Sequence, residues 1–148
     1  MFRLQCGGRP MRKINLITCG IALLFSSCGI TLNKLPPILD SEYACGNWVV
    51  SNINYALDAG DTWNRPETTL NNGYGDCEDH ALLFLWLCAY NGFGKGTLNI
   101  GYVTDANGKM RGGHVGAICN GVEYGGYEYF HIIMTMDFDT AMTMTVVH

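Results

Sequence analysis

Cys77 lies in a cluster of ionisable side chains that could support nucleophilic chemistry. It follows a segment dense in turn residues and belongs to the run Gly75-Asp76-Cys77-Glu78-Asp79-His80. The first turn of a helix, where we predict Cys77 to lie, favours the thiolate through backbone N–H groups and the helix dipole. The three neighbouring acids oppose that effect, so a nucleophile here needs a base. An inert buried cysteine, or one half of a disulfide, is the alternative interpretation.

His114 is the best candidate for that base among the four histidines. It follows Arg111-Gly112-Gly113 and opens a predicted strand, so its ring can project at a strand end beside a glycine turn. His80 lies one helical turn after Cys77, which leaves little room for a substrate carbonyl between the two, and we interpret it as structural. The remaining two are His131, in an apolar run typical of a core, and the terminal His148.

The orienting acid depends on which glycine turn forms a hairpin. A turn at Gly125-Gly126 places Asp137 directly opposite His114 and on the same face, where its carboxylate could accept the imidazole N–H. A turn at Asn120-Gly121, a strong hairpin signal, instead places His114 opposite Tyr127. We favour the first register, which makes Asp137 the acid, and the second stays open.

Two helical patterns precede these strands. The first begins near Ser41 and is predicted to end at 58–60, with apolar residues recurring at three- and four-residue steps. The second runs from Cys77 to Tyr90 and is apolar on every side, so it should be buried. Residues 61–75 between them show no periodicity and are predicted to form a loop.

Alternating strand patterns follow the helices. Leu98, Ile100 and Tyr102 share one face of a strand, residues 105–108 form a turn, and residues 114–119 and 127–138 are further strands. Helices followed by an antiparallel sheet indicate an α+β domain.

Three segments together resemble the transglutaminase-like superfamily of papain-fold cysteine enzymes, particularly its small bacterial peptidase-like members. They lie within residues 43–139 and are Trp63-x-x-Pro66-Glu67-Thr68, Gly73-Tyr74-Gly75-Asp76-Cys77-Glu78-Asp79-His80-Ala81 and Gly113-His114-Val115. The resemblance implies a papain-like core in which N-terminal helices pack on a C-terminal antiparallel sheet. It also implies Cys77 as nucleophile, His114 as base and Asp137 as orienting acid, with Asp139 in reserve.

The activity implied by the resemblance is thiol-dependent acyl transfer on peptide or protein amides, as in a cysteine peptidase, an amidase or a transglutaminase. Trp63 is a candidate for shaping the approach of the substrate, and a core-filling indole under the loop is the equally good alternative. A protein of another class, an inactive surface lipoprotein that binds peptides or a partner protein, is the second hypothesis. A redox protein that uses Cys45, Cys77, Cys88 and Cys119 ranks last, because their spacing contains no Cys-x-x-Cys pair.

The first 27 residues are predicted to be a lipoprotein signal peptide. Arg12 and Lys13 precede an apolar run of about a dozen residues, which is too short to span a membrane. Leu24-Phe25-Ser26-Ser27-Cys28 resembles a lipobox, in which Cys28 would be lipidated; an ordinary cleaved signal or an uncleaved anchor is the alternative. Residues 28–40 would then be a tether and 41–148 the transglutaminase-like domain. We therefore expect an exported lipoprotein that faces the periplasm or the cell surface.

Composition and charge restrict the partners. The chain has 148 residues, 48% hydrophobic and 15% charged, which suits one folded domain and excludes a disordered chain. Without the first 27 residues, five basic and thirteen acidic residues give a net charge of −8. Nucleic acid is therefore not an expected partner, and a membrane would be reached through the lipid alone. No cofactor and no metal are expected, since no second Cys/His pair has ligand spacing.

Overall fold

The structure is a computed structural model and describes residues 34–58, 60 and 62–146. Helices and short strands come first and a larger sheet follows, so the predicted α+β class is confirmed. In chain order the elements are α1 (Glu42–Asn52), β1 (Asn54–Tyr55), α2 (Pro66–Asn72), β2 (Tyr74–Gly75), α3 (Cys77–Tyr90), β3 (Thr97–Thr104), β4 (Met110–Cys119), β5 (Val122–Tyr124), β6 (Phe130–Asp137) and α4 (Phe138–Met144).

The core forms where α3 packs between α1 and the sheet. The four main strands run antiparallel in the order β5-β4-β3-β6. The bounds predicted for α3 are confirmed, and its leucines and phenylalanine are fully buried. Each such side chain contributes about 1.5–3 kcal/mol through removal from water. The fully buried side chains that meet α3 include Cys45 and Val49 from α1 and Leu98 from β3.

The first helix is shorter than predicted, and the predicted loop contains a helix. The helix begins near Ser41 as predicted, and Ser41 caps it, but it ends at Asn52, because residues 54–55 pair in parallel with β2. The pairing is fixed by hydrogen bonds from the N–H of Asn54 to the oxygen of Gly73 and from that of Ala56 to the oxygen of Gly75. This small sheet holds the chain immediately before Cys77.

The favoured hairpin register is wrong. The turn lies at Asn120-Gly121, whose φ angles of 48° and 83° suit a tight hairpin turn, and Ala117 pairs with Tyr124. The strand β6 does not pair with β4 at all but lies on the opposite side of β3, with Asp137 opposite Thr97. The alternative register is therefore the observed one.

Among the described residues, no helix has both the length and the hydrophobicity needed to cross a membrane. The predicted signal peptide, Cys28 and the first part of the predicted tether lie outside the described residues.

Candidate active site

The Cys77 thiol lies at the start of α3 and faces the strand that carries His114. Cys77 is half-buried, and its Sγ donates a hydrogen bond to Oε2 of Glu78 over 3.1 Å. The backbone N–H of Val115 is close enough to the same sulfur to act in favour of a lower thiol pKa. Since Val115 directly follows His114 in β4, the structure brings the predicted nucleophile against the strand position of the predicted base.

Two cavities open beside this pair, and Cys77 and His114 line both of them. The first has a volume of about 500 Å³ and largely aromatic walls, which include Tyr43, Tyr55, Phe84, Tyr124 and Tyr127. The second has a volume of about 410 Å³ and combines the acids Asp76 and Glu78 with the apolar side chains Leu57, Trp63 and Ile100. The thiol is thus reachable from an aromatic side and from an acidic side.

The His114 ring is oriented by a backbone carbonyl. Its Nε2 lies 2.6 Å from the oxygen of Gly125, and its ring packs edge-on against Tyr127 and Phe130. A carbonyl oxygen only accepts, so Nε2 carries the hydrogen and Nδ1 of the neutral ring is free to accept a proton. A general base requires such a free nitrogen.

The predicted partnership of His114 with Asp137 is also wrong. Both residues lie opposite β3, His114 opposite Gly101 and Asp137 opposite Thr97. These two positions of β3 are about 13 Å apart along the strand. Asp137 instead caps α4 by accepting hydrogen bonds from the backbone N–H and the hydroxyl of Thr140 at 2.9 and 2.7 Å. These bonds lower the pKa of its exposed carboxyl.

The reserve acid, Asp139, is not at the site either. Its carboxylate forms an exposed ion pair with Lys95, whose Nζ lies 2.8 Å away. Both acids therefore lie at the end of the sheet that is remote from His114, because β6 pairs with β3 and not with the histidine strand.

The pKa of the Cys77 thiol is raised and not lowered, contrary to the prediction from its position at the start of a helix. Burial is the largest influence and, with the hydrogen bond to Glu78 and the charges of Glu78 and Asp76, it raises the pKa of Cys77 to about 12. The N–H of Val115 acts in the opposite direction but does not outweigh burial. The resting sulfur is therefore a neutral thiol, and attack on a carbonyl requires a base to remove its proton.

The three acids around Cys77 are all buried but are not equally satisfied. Asp79 accepts hydrogen bonds from the backbone N–H and the side-chain amide of Asn64, both at 2.8 Å. By contrast, Oδ1 of Asp76 and Oε1 of Glu78 have no hydrogen-bond partner among the described residues. Burial and the neighbouring Asp76 raise the pKa of Glu78 to about 7. Asp76 and Glu78, which flank the thiol, can thus each accept a further hydrogen bond.

The close packing of Asp79 explains Gly75. A Cβ at position 75 would lie 2.6 Å from the Cβ of Asp79, so a larger residue does not fit without displacement. The same aspartate fixes Asn64 and therefore the loop that carries Trp63. Trp63 is half-buried, packs against the core and lines the acidic cavity. Both interpretations of this tryptophan, as core filler and as cavity wall, agree with its position.

The remaining described histidines have partners of their own. In His80, Nδ1 lies 3.1 Å from the hydroxyl of Tyr124 and Nε2 lies 3.4 Å from the carbonyl of Asn54, and burial lowers its pKa. His131 was expected in the core but is exposed on β6, where it stacks on Tyr102 and contacts the hydroxyl of Thr104.

The described cysteines are free thiols. Cys45, Cys88 and Cys119 are buried in the core, and Cys77 is the one at the cavities. Within the described ranges, no three histidine, cysteine, aspartate or glutamate side chains are grouped so that they could hold a metal ion.

Sequence reasoning missed two features of this site: the carbonyl of Gly125 beside His114, and the unpaired oxygens of Asp76 and Glu78. The Asn120-Gly121 turn signal could have revealed the first, since that hairpin brings residues 124–127 back to the histidine. No local signal distinguishes a buried, unpaired carboxylate from a helix cap.

Comparison with known families gives one match. The family model of the transglutaminase-like superfamily matches residues 27–122, a range that contains Cys77 and His114 and ends before Asp137. A search of curated proteins finds no significant match.

Proposed function

Because the chain belongs to the transglutaminase-like superfamily, we propose that it catalyses thiol-dependent acyl transfer on peptide or protein amides, with Cys77 as nucleophile and His114 as base. The observation that supports this most directly is that Cys77 and His114 line the same two cavities, so a substrate carbonyl placed there can reach both side chains.

In the proposed reaction, Nδ1 of His114 removes the proton from the Cys77 thiol, and the sulfur attacks the amide carbon. The hydrogen bond from Nε2 to the Gly125 carbonyl keeps the ring in the tautomer that leaves Nδ1 free and supports the charged imidazolium. The protonated His114 then gives its proton to the departing amine, which leaves a thioester on Cys77. Water or a second amine attacks the thioester and gives a proton to His114. The carbon–sulfur bond breaks, the acid or the new amide is released, and His114 returns the proton to the sulfur, which regenerates the thiol.

The backbone N–H of Cys77, in the unsatisfied first turn of α3, is suited to stabilise the oxyanion during each attack. Removal of one such donor in known enzymes costs about 3 kcal/mol of transition-state stabilisation.

The test is a comparison of purified variants on a mixed pool of amidated peptides, with products identified by mass spectrometry. We expect Cys77→Ser and His114→Gln to lose turnover, whereas His131→Gln, which alters an exposed histidine on β6, should retain it. An equal loss in His131→Gln, or full activity in Cys77→Ser, would contradict the proposal.

A second function, binding of a peptide or partner protein without turnover, is favoured by the cavity of about 500 Å³ whose walls include Tyr43, Tyr55 and Tyr127, and it agrees with the raised pKa of the Cys77 thiol. Binding of peptides to the wild-type chain with no product and no modification of Cys77 would support it.

We also propose that the protein acts at the cell envelope, anchored through a lipid on Cys28. The support is the lipobox-like sequence, with the two basic residues and the apolar run before it. Incorporation of labelled palmitate should occur in the wild-type chain and be lost in Cys28→Ser, and incorporation that survives this change would contradict the anchor.

A further inference from the structure

Two buried carboxyl groups, which form no ion pair with any residue that the structure describes, line the cavity of about 410 Å³ next to Cys77. Asp76 is 5% exposed and Glu78 is 3% exposed, and one oxygen of each has no hydrogen-bond partner among the described residues. None of the residues that line this cavity is a lysine or an arginine. Buried carboxylates are costly unless a cation or several donors compensate them, so this pair is complementary to a positive group that enters the cavity.

The walls of the same cavity indicate the kind of cation. Beside the two acids they include the side chains of Leu57, Trp63 and Ile100, which are apolar. An acidic floor with apolar walls suits a charged head on a hydrocarbon chain, because the chain removes apolar surface from water while the head pairs with the carboxylates.

The cavity offers too few ligands for a bare metal ion. Calcium takes six to eight oxygen ligands, and no group of three suitable ligands exists among the described residues. An ammonium group has three N–H donors, and the unpaired oxygens of Asp76 and Glu78 supply two acceptors for them.

We propose that this cavity binds a protonated alkylamine carried by the substrate, with the ammonium group held between Asp76 and Glu78 as a recognition element and not as the attacking nucleophile. The inference rests on the proposed function, since it makes the amine part of the molecule that Cys77 attacks. Binding also brings a positive charge beside the thiol, which offsets the effect of the two acids on its ionisation.

The test uses n-butylammonium chloride as the probe and the full chain carrying Cys77→Ser, so that binding is read without turnover. We expect the Tm to rise by about 2–4 °C relative to sodium chloride at the same ionic strength. The rise should disappear when Glu78→Gln or Asp76→Asn is added. It should persist with Glu67→Gln, which alters an exposed acid on α2.

A second measurement does not depend on the folding of the acid variants. In the wild-type chain, n-butylammonium should accelerate alkylation of Cys77 by iodoacetamide about threefold or more, whereas 1-butanol should not. The proposal is overturned by the absence of either effect, by a Tm rise that survives in both acid variants, or by a rise with calcium chloride and none with the amine. Failure of peptide turnover with intact amine binding would count against the proposed function alone.

Discussion

The thiol of Cys77 donates a hydrogen bond to Oε2 of Glu78 over 3.1 Å, which ties the ionisation of the candidate nucleophile to a buried acid. Ionisation of the sulfur would place a second negative charge beside that carboxylate and would break the bond. Together with burial, which is the larger influence, Glu78 therefore keeps Cys77 in its thiol form.

Replacement of Glu78 by Gln should make Cys77 more reactive. Loss of the negative charge and of the anionic acceptor lowers the pKa of the thiol from its raised value of about 12. We expect the rate of alkylation by iodoacetamide at pH 8 to rise about tenfold, as for one unit of pKa. Peptide mapping after limited labelling would identify the thiol. An unchanged or slower rate in Glu78→Gln would contradict this role, and Glu67→Gln serves as the control.

The same substitution should change how stability depends on pH. The pKa of Glu78 is about 7 in the folded protein, against an ordinary value of 4.5. Between these values the folded chain holds a proton that the unfolded chain has released, so the stabilising contribution is complete below pH 4.5 and is lost as the pH rises to about 7. Urea unfolding should show equal stability for wild type and Glu78→Gln at pH 4 and an advantage of about 2–3 kcal/mol for the variant at pH 8. A difference that is independent of pH would contradict the assignment.

The hydrogen bond from the Asn64 side chain to Asp79 should be important for stability. Asn64→Ala removes a donor to a buried carboxyl and should lower the free energy of unfolding by about 1.5–3 kcal/mol. Asn107→Ala, which changes an exposed turn residue whose backbone bond to Asp105 is retained, should cost less than about 0.5 kcal/mol. The tryptophan fluorescence of the chain, to which Trp63 contributes, should change in the first variant and not in the second. Equal losses of unfolding free energy in Asn64→Ala and Asn107→Ala would contradict the importance of the hydrogen bond to Asp79.

A methyl group at position 75 should be poorly tolerated. In Gly75→Ala the new Cβ would lie 2.6 Å from the Cβ of Asp79, and the required displacement should cost about 1–3 kcal/mol. Gly112→Ala is the matched control, because nothing lies within 4 Å of a Cβ built there. Denaturant unfolding of both variants makes the comparison, and similar stabilities would contradict the packing described here.

Loss of the Asp137 carboxylate should lower the stability of the protein and leave the reactivity of the Cys77 thiol unchanged. Asp137→Ala removes the cap of α4 and should cost about 1 kcal/mol. The alkylation rate of Cys77 should stay at the wild-type value, because the carboxylate lies at the far end of the sheet. Asp139→Ala, which breaks only the exposed pair with Lys95, should cost less. A large change in thiol reactivity in Asp137→Ala would restore the register that the structure contradicts.

Local sequence signals predict the bounds of α3 correctly but not the end of α1, because that end depends on a partner that is distant along the chain. The bounds of α3 follow from local signals, namely an acid before the helix, an apolar interior and Asn91-Gly92 after it. In α1 the apolar spacing continues through Leu57, but the chain leaves the helix at Ile53 because residues 54–55 pair with β2, about twenty residues away. Such a partner has no signature in the local pattern.

The candidate site, too, could be predicted where local sequence signals specify it and not where distant pairing does. The neighbourhood of Cys77 and His114 could be anticipated from the short motifs around them. The prediction that His114 opens its strand was wrong, because β4 begins at Met110 and His114 lies in its middle. The orienting group could not be anticipated, because the turns at Asn120-Gly121 and Gly125-Gly126 offered two registers and the position of β6 beyond β3 is a property of the whole sheet. The alternation of residues 130–137 predicts a strand but does not specify its neighbour.

The partner of the His114 ring is a main-chain oxygen, and no single exchange of side chains can delete it. The orientation of the imidazole is therefore determined by the path of the backbone after β5 and not by the chemical identity of one residue. Insertion or removal of a residue between Gly121 and Gly125 would turn the ring away from its acceptor, whereas most replacements within that stretch would leave the ring where it is. The length of this hairpin, more than its composition, therefore determines whether His114 keeps the orientation that the proposed reaction requires.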